Sequence, residues 1–115
     1  MAYAEGLGGL PKDEKLAVEW IRKAAEQGLA EAQFNLGVAY AEGLGGLPKD
    51  EKLAVEWYRK AAEQGYAMAQ FNLGACYANG LGGLPKDEKL AVEWLRKAAE
   101  QGDEDAKEAL KKLGY

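Results

Sequence analysis

The fifteen residues GLGGLPKDEKLAVEW occur three times, letter for letter, beginning at Gly6, Gly43 and Gly80 of a 115-residue chain. A period of 37 residues lies in the range of stacked solenoids, in which each supersecondary unit buries its apolar face against the next. Residues 29–65 and 66–102 agree at 31 of 37 positions, and residues 1–28 agree with 38–65 at 26 of 28. The chain therefore divides into a shortened first unit (1–28), two full units (29–65 and 66–102) and a closing segment (103–115). Natural repeats drift apart at solvent positions, so this uniformity points to a consensus-type, designed sequence.

Each unit reads as two helices. DEKLAVEWIRKAAEQG opens with Asp13, a residue suited to cap a helix N-terminus, two positions after Pro11, which discourages earlier helix. It closes at Gly28, the residue type that takes the left-handed cap conformation. Leu16, Ala17, Trp20 and Ala24 recur at helical spacing, and Glu19 stands one turn before Lys23, so carboxylate–cation pairs are expected along this helix. The other helix, AEAQFNLGVAY, is expected from about Ala30 to Ala41, with Gly43 at its end. Ala32, Leu36 and Tyr40 form its core stripe. Gly37 lies beside that stripe. A glycine inside a helix costs about 1 kcal/mol against alanine, so its place there indicates close approach of a neighbouring helix.

The link Gly43-Leu44-Gly45-Gly46-Leu47-Pro48 is rich in glycine, as phosphate cradles are. It follows a helix rather than a strand, however, and no Gly-Lys-[Ser/Thr] comes after it. It reads as a turn with positive φ angles, anchored by Leu47.

Ala32-Gln33-x-x-Leu36-Gly37-x-x-Tyr40-x-x-Gly43, followed by Lys52-Leu53-Ala54-x-x-Trp57-Tyr58-x-Lys60-Ala61-Ala62-Glu63-Gln64-Gly65, resembles the Sel1-like repeat, a cousin of the tetratricopeptide repeat. The resemblance covers essentially the whole chain. The sequence departs from the family's G-x-G-V-x-x-D loop by one added residue and by Leu in place of Val, which bears on the turn and not on the helix pairing. The resemblance implies an all-α fold: a right-handed α-solenoid of stacked antiparallel helix pairs, working as a non-catalytic adaptor for proteins or peptides.

At the start, Met1-Ala2-Tyr3 aligns with Val38-Ala39-Tyr40, so the first unit keeps only its second helix. In the closing segment Glu108 stands where Phe34 and Phe71 fall, and Lys111 where Gly37 and Gly74 fall. That is a capping helix with a polar outer face, of the kind solenoids need for solubility.

Composition narrows the function. The chain contains no His, Ser or Thr, which removes Ser/His/Asp triads, Cys/His dyads and imidazole metal sites together. Its one cysteine, Cys76, excludes an intramolecular disulfide and reads as a small buried apolar residue. A net charge of −4 argues against a nucleic-acid backbone as ligand. No apolar run reaches the roughly 18 residues of a membrane span, and no targeting signal is visible, so a cytoplasmic setting is expected. Catalytic residues, cofactors and metals are all expected to be none.

What remains is binding, and near-identical repeats point to it where their first helices disagree: Glu31/Met68, Val38/Ala75, Ala39/Cys76 and Glu42/Asn79. Glu31, Val38 and Glu42 share a helical stripe with the unchanged Phe34, as do Met68, Ala75 and Asn79 with Phe71. By resemblance to tetratricopeptide repeats this stripe is the concave, ligand-facing surface. The other reading makes the substitutions drift and Phe34 core. Trp20, Trp57 and Trp94 recur at one helix position and read as core packing.

A second class, a designed folding or self-assembly model without a ligand, also stands. The helix after Pro11 lacks its partner, so Leu16, Trp20 and Ile21 are expected to be partly bare and to join two copies at this end as a homodimer. Its alternative is that Met1 and Tyr3 fold back over that face.

Overall fold

In the computed structural model, which describes residues 11–115 and side-chain surroundings from residue 14 on, six helices follow one another: α1 (Pro11–Glu26), α2 (Ala30–Glu42), α3 (Glu51–Glu63), α4 (Ala67–Asn79), α5 (Glu88–Glu100) and α6 (Glu104–Lys112). No strand occurs among the described residues. Expectations placed on residues 1–10, including whether Met1 and Tyr3 fold over α1, lie outside them.

The boundaries follow local chemistry. Asp50 and Asp87 stand in extended backbone, and each carboxylate accepts from the backbone N–H three residues on, Leu53 and Leu90, at 3.1 Å. This satisfies one of the donors a helix start leaves free. Their own N–H groups donate to Tyr40 O and Tyr77 O (2.8 and 2.9 Å), tying each α3-type helix to the helix before it. The equivalent partner of Asp13 would be residue 3, and here the expectation needs correction: α1 starts at Pro11, not after Asp13. Proline fits a first helical turn because its missing N–H would be unpaired there anyway. At the other end, Gly43 and Gly80 close α2 and α4 in the left-handed conformation, φ 68° and 65°.

Each helix packs chiefly on its neighbours in sequence, giving a body 44 × 27 × 25 Å. The core is accordingly a string of clusters. Ala25, Ala32 and Leu36 join α1 to α2, with Leu47 and Trp57 against them. The largest cluster runs through α3 and α4 around Leu73, Ala61 and Tyr58, with Trp94 at its edge. Leu95, Ala98 and Ala106 join α5 to α6. At Gly37 α3 comes close to α2: a Cβ there would stand 2.7 Å from the Tyr58 ring and 3.1 Å from Ala54 O. Gly74 makes the same room for Leu95.

Polar fasteners repeat with the period. Buried Gln33 donates to Ala25 O (3.3 Å) and accepts from Gln64 Nε2 (2.9 Å), which also donates to Gly28 O (2.8 Å). Gln70, Gln101, Ala62 O and Gly65 O repeat this rung one unit later. Lys107 takes the next glutamine position and ends the ladder.

Two expectations about side chains fail. Among the described residues one carboxylate–cation pair lies within 4 Å, Lys107 to Glu104 at 3.6 Å on the exposed cap; Glu19 and Lys23 are not so paired. Lys23, Lys60 and Lys97 lie instead over the rings of Trp20, Trp57 and Trp94, at 5.3, 5.6 and 5.7 Å from their centroids. A ring fixed one turn away offers a cation–π contact without the entropy of holding two flexible chains together. The tryptophans also divide: Trp57 and Trp94 are half-buried, whereas Trp20 is 57% exposed.

Candidate functional site

Helices α2 and α4 hold the stripe on which the repeats differ, and its eight members do not share one environment. Glu31 and Glu42 on α2 are exposed, and Val38 is half-buried. On α4, Met68 is 51% exposed, Asn79 is exposed, and Phe71 and Ala75 are half-buried. Asn79 Nδ2 donates to Ala75 O at 3.0 Å, and the Tyr66 hydroxyl points at Met68 Sδ at 3.9 Å.

Phe34 departs from the ligand-facing reading. It is buried, its ring 5.7 Å from that of Tyr58 and 5.5 Å from that of Tyr66. Phe71 stays half-open because the equivalent neighbours are Leu95 and Asp103, which offer it no second or third ring. Leu16 and Trp20 are exposed and Ile21 half-buried, so the α1 face is partly bare among the described residues.

Beside the stripe lies a cleft of about 220 Å³ that the sequence reading missed. Ala54, Val55 and Tyr58 of α3 form its floor, Ala41 of α2 one wall, and Asn72, Ala75 and Cys76 of α4 the other. Leu81, 44% exposed, stands at its lip next to Gly82. The one signal available was the adjacent pair Ala75-Cys76 in place of Val38-Ala39, where a wall loses two methyl groups at the first position and gains one sulfur at the second. Gly82 has φ 64°, and a side chain on it would overlap Val55, so glycine sets the lip against α3.

The groups in the cleft hold their protons. Burial pushes the Cys76 thiol up from 9.0, helped by the charge of Glu51. Burial likewise pushes the Tyr58 hydroxyl up from 10.0, opposed by a polar contact with Asn72 and supported by Cys76, Glu42 and Glu51. A protonated thiol without a base beside it is a packing group, not a nucleophile. Among the described residues no cluster of three metal-binding side chains occurs, and no helix is long and apolar enough to cross a membrane. A wider polar hollow of about 520 Å³ lies over the second glutamine rung, where Gln70 and Gln101 are bonded to each other and Glu63, Trp94, Lys97 and Glu100 complete the lining.

The family model described as Sel1 repeat matches residues 1–29, 30–66 and 67–103. Among solved structures, a Sel1 repeat protein from Oxalobacter formigenes is 47% identical, with TM-score 0.81 over 90% of this chain and 42% of that one. The protein c5321, a protective antigen of uropathogenic Escherichia coli strains displaying an SLR fold, is 45% identical, with TM-score 0.80 over 90% of this chain and 22% of its own. Helicobacter pylori cysteine rich protein B is 31% identical, with TM-score 0.72 over 77% of this chain and 65% of its own. The chain thus spans less than half of the first two. No curated protein matches it by sequence.

Proposed function

The chain belongs to the Sel1 repeat family, and on that premise we propose that it is a non-catalytic scaffold that binds a protein segment or peptide along the α2/α4 face. One observation carries the reading. In repeats otherwise almost identical, the differences at positions 31/68, 38/75 and 42/79 fall on one stripe, and that stripe carries exposed Met68 and half-open Phe71. Exposed methionine and aromatic side chains are enriched where partners dock.

Peptides selected from a random display library on the full chain test this. Selected peptides are expected to lose at least tenfold in affinity on Met68→Lys or Asn79→Lys, since each places a charge in the interface core, and to tolerate Glu93→Lys on α5. Binding that survives both stripe variants and fails with Glu93→Lys would place the surface elsewhere.

A second reading rests on Trp20 and Leu16, exposed where Trp57 is half-covered. It has two copies of this chain meeting through α1. Light scattering is expected to give twice the chain mass, reduced to one by Trp20→Lys and unchanged by Lys112→Glu. A single-chain mass at high concentration removes it.

A further inference from the structure

The cleft between α2 and α4 has properties the stripe does not share. It is apolar, its volume of about 220 Å³ exceeds the roughly 150 Å³ in which an apolar cavity holds benzene, and it opens at the exposed lip residue Leu81. One leucine, isoleucine or phenylalanine side chain fits such a space.

The two helices that wall it carry between them carboxylates and no cation, while Lys52 of α3 lies against Gly83 beside the lip. Helix α2 bears Glu31 and Glu42 and no Lys or Arg, α4 bears no charged residue, and Glu51 of α3 lines the cleft itself. Among the described residues neither Glu42 nor Glu51 has a Lys or Arg nitrogen within 4 Å. Both carboxylates act on Tyr58, and Glu51 on Cys76, which puts their field inside the cleft. The lysines of the repeat lie on the α3-type helices and loops, several of them over tryptophan rings.

We propose that this cleft is the specificity pocket of the binding surface, taking one large apolar side chain from a peptide of another protein that carries Lys or Arg beside it. The apolar side chain enters between Ala75 and Tyr58, and the flanking cations meet Glu42 and Glu51. In the repeat before, Val38 stands where Ala75 does and brings two more methyl groups to that place. This rests on the scaffold reading and sharpens it: the place where two nearly identical units differ, Ala75 against Val38, is where the partner's apolar residue is read.

Acetyl-Gly-Gly-Lys-Leu-Lys-Gly-Gly-amide, titrated into the full chain and followed by amide chemical shifts, tests the pocket. Shifts are expected to centre on Ala75, Cys76 and Leu81. Replacing its leucine by glycine, or filling the pocket by Ala75→Val, is expected to weaken binding roughly 10- to 100-fold, the range for burying one such side chain. Val38 already occupies the equivalent place, so Ala75→Val is compatible with the repeat; Leu81→Ser, at the exposed lip, gives an independent loss without touching the core. Exchanging the peptide's two lysines for glutamates is expected to weaken binding several-fold at low salt, with the difference shrinking as salt is raised. Shifts confined to Glu31, Val38 and Met68, indifferent to Ala75→Val and Leu81→Ser, overturn the pocket and leave the scaffold reading standing. Equal binding of the lysine and glutamate peptides overturns the charge preference. Concentration-dependent shifts at Leu81 without any peptide point to a second copy as occupant and also overturn the proposal.

Discussion

Gln33 and Gln70 are the two buried polar side chains in the described core, and every donor and acceptor on them that can be followed has a partner. Their amides work as fasteners between units: each accepts from a glutamine 31 residues later and donates to a carbonyl eight residues earlier. Gln70→Leu keeps most of the volume and leaves Gln101 and Ala62 O without that partner, so a loss of about 1–3 kcal/mol is expected in denaturant unfolding. Cys76 and Tyr58 give a pH dependence at the same scale. Their folded pKa values lie above 9.0 and 10.0, so the folded state holds these protons more tightly than the unfolded chain. The stability this contributes is complete below about pH 9 and is lost as pH rises through the folded values. Unfolding midpoints are expected to fall above about pH 9, and Cys76→Ala to remove the earliest part of that fall. The glutamine was visible in the sequence as part of the repeat motif, but its role was not, because its partners belong to other units. The same holds for the two phenylalanines. Each sits in AQFNLG, and only Tyr58 against Leu95 and Tyr66 against Asp103 decides that one is sealed and the other half-open.

At the scale of the element, the helix pairs were legible because their signals are local: Asp before α3, α5 and α6, Gly just after α2 and α4, and apolar residues at helical spacing. Gly37 was legible in kind as a point of close approach, and the geometry identifies what approaches. Two effects oppose each other there. Alanine would gain about 1 kcal/mol in helix propensity, whereas a methyl 2.7 Å from the Tyr58 ring forces α2 and α3 apart at roughly 1–3 kcal/mol. The steric effect is the larger, so Gly37→Ala is expected to lower the thermal midpoint by several degrees. A rise would show that Tyr58 yields at little cost. The cleft was not legible, since it arises from small residues on three separate elements and the backbone angle of a fourth. Side-chain pairing misled for a related reason: glutamate and lysine at i,i+4 spacing allow an ion pair, but the tryptophan three residues before each lysine competes for it.

Over the whole molecule the clusters differ in size, and contact between units is almost wholly nearest-neighbour. Stability in such a stack approximates a sum of unit and interface contributions, so it is not obliged to be lost everywhere at once. The cluster through α3 and α4 is bounded on both sides by further helices. The cap α6 rests chiefly on α5 through Ala106, Ala109, Leu110 and the following Leu113, and of these only Ala106 is fully buried. Amides of α6 should therefore exchange through an opening that leaves α3 and α4 closed. Leu110 is the position to test, because its side chain is half-buried against the α5 cluster, and its part in the C-terminal cap is played by its backbone carbonyl, which a substitution keeps. Leu110→Ala is expected to lower the protection of α6 amides by about 1–2 kcal/mol, less than a full core truncation, and to leave Ala61, Ala62 and Leu73 within a few tenths of their original values. If the slowest amides of α3 and α4 fell by the same amount as those of α6, the stack would be opening as one cooperative body, and a site on the α2/α4 face would then share every perturbation made at the cap.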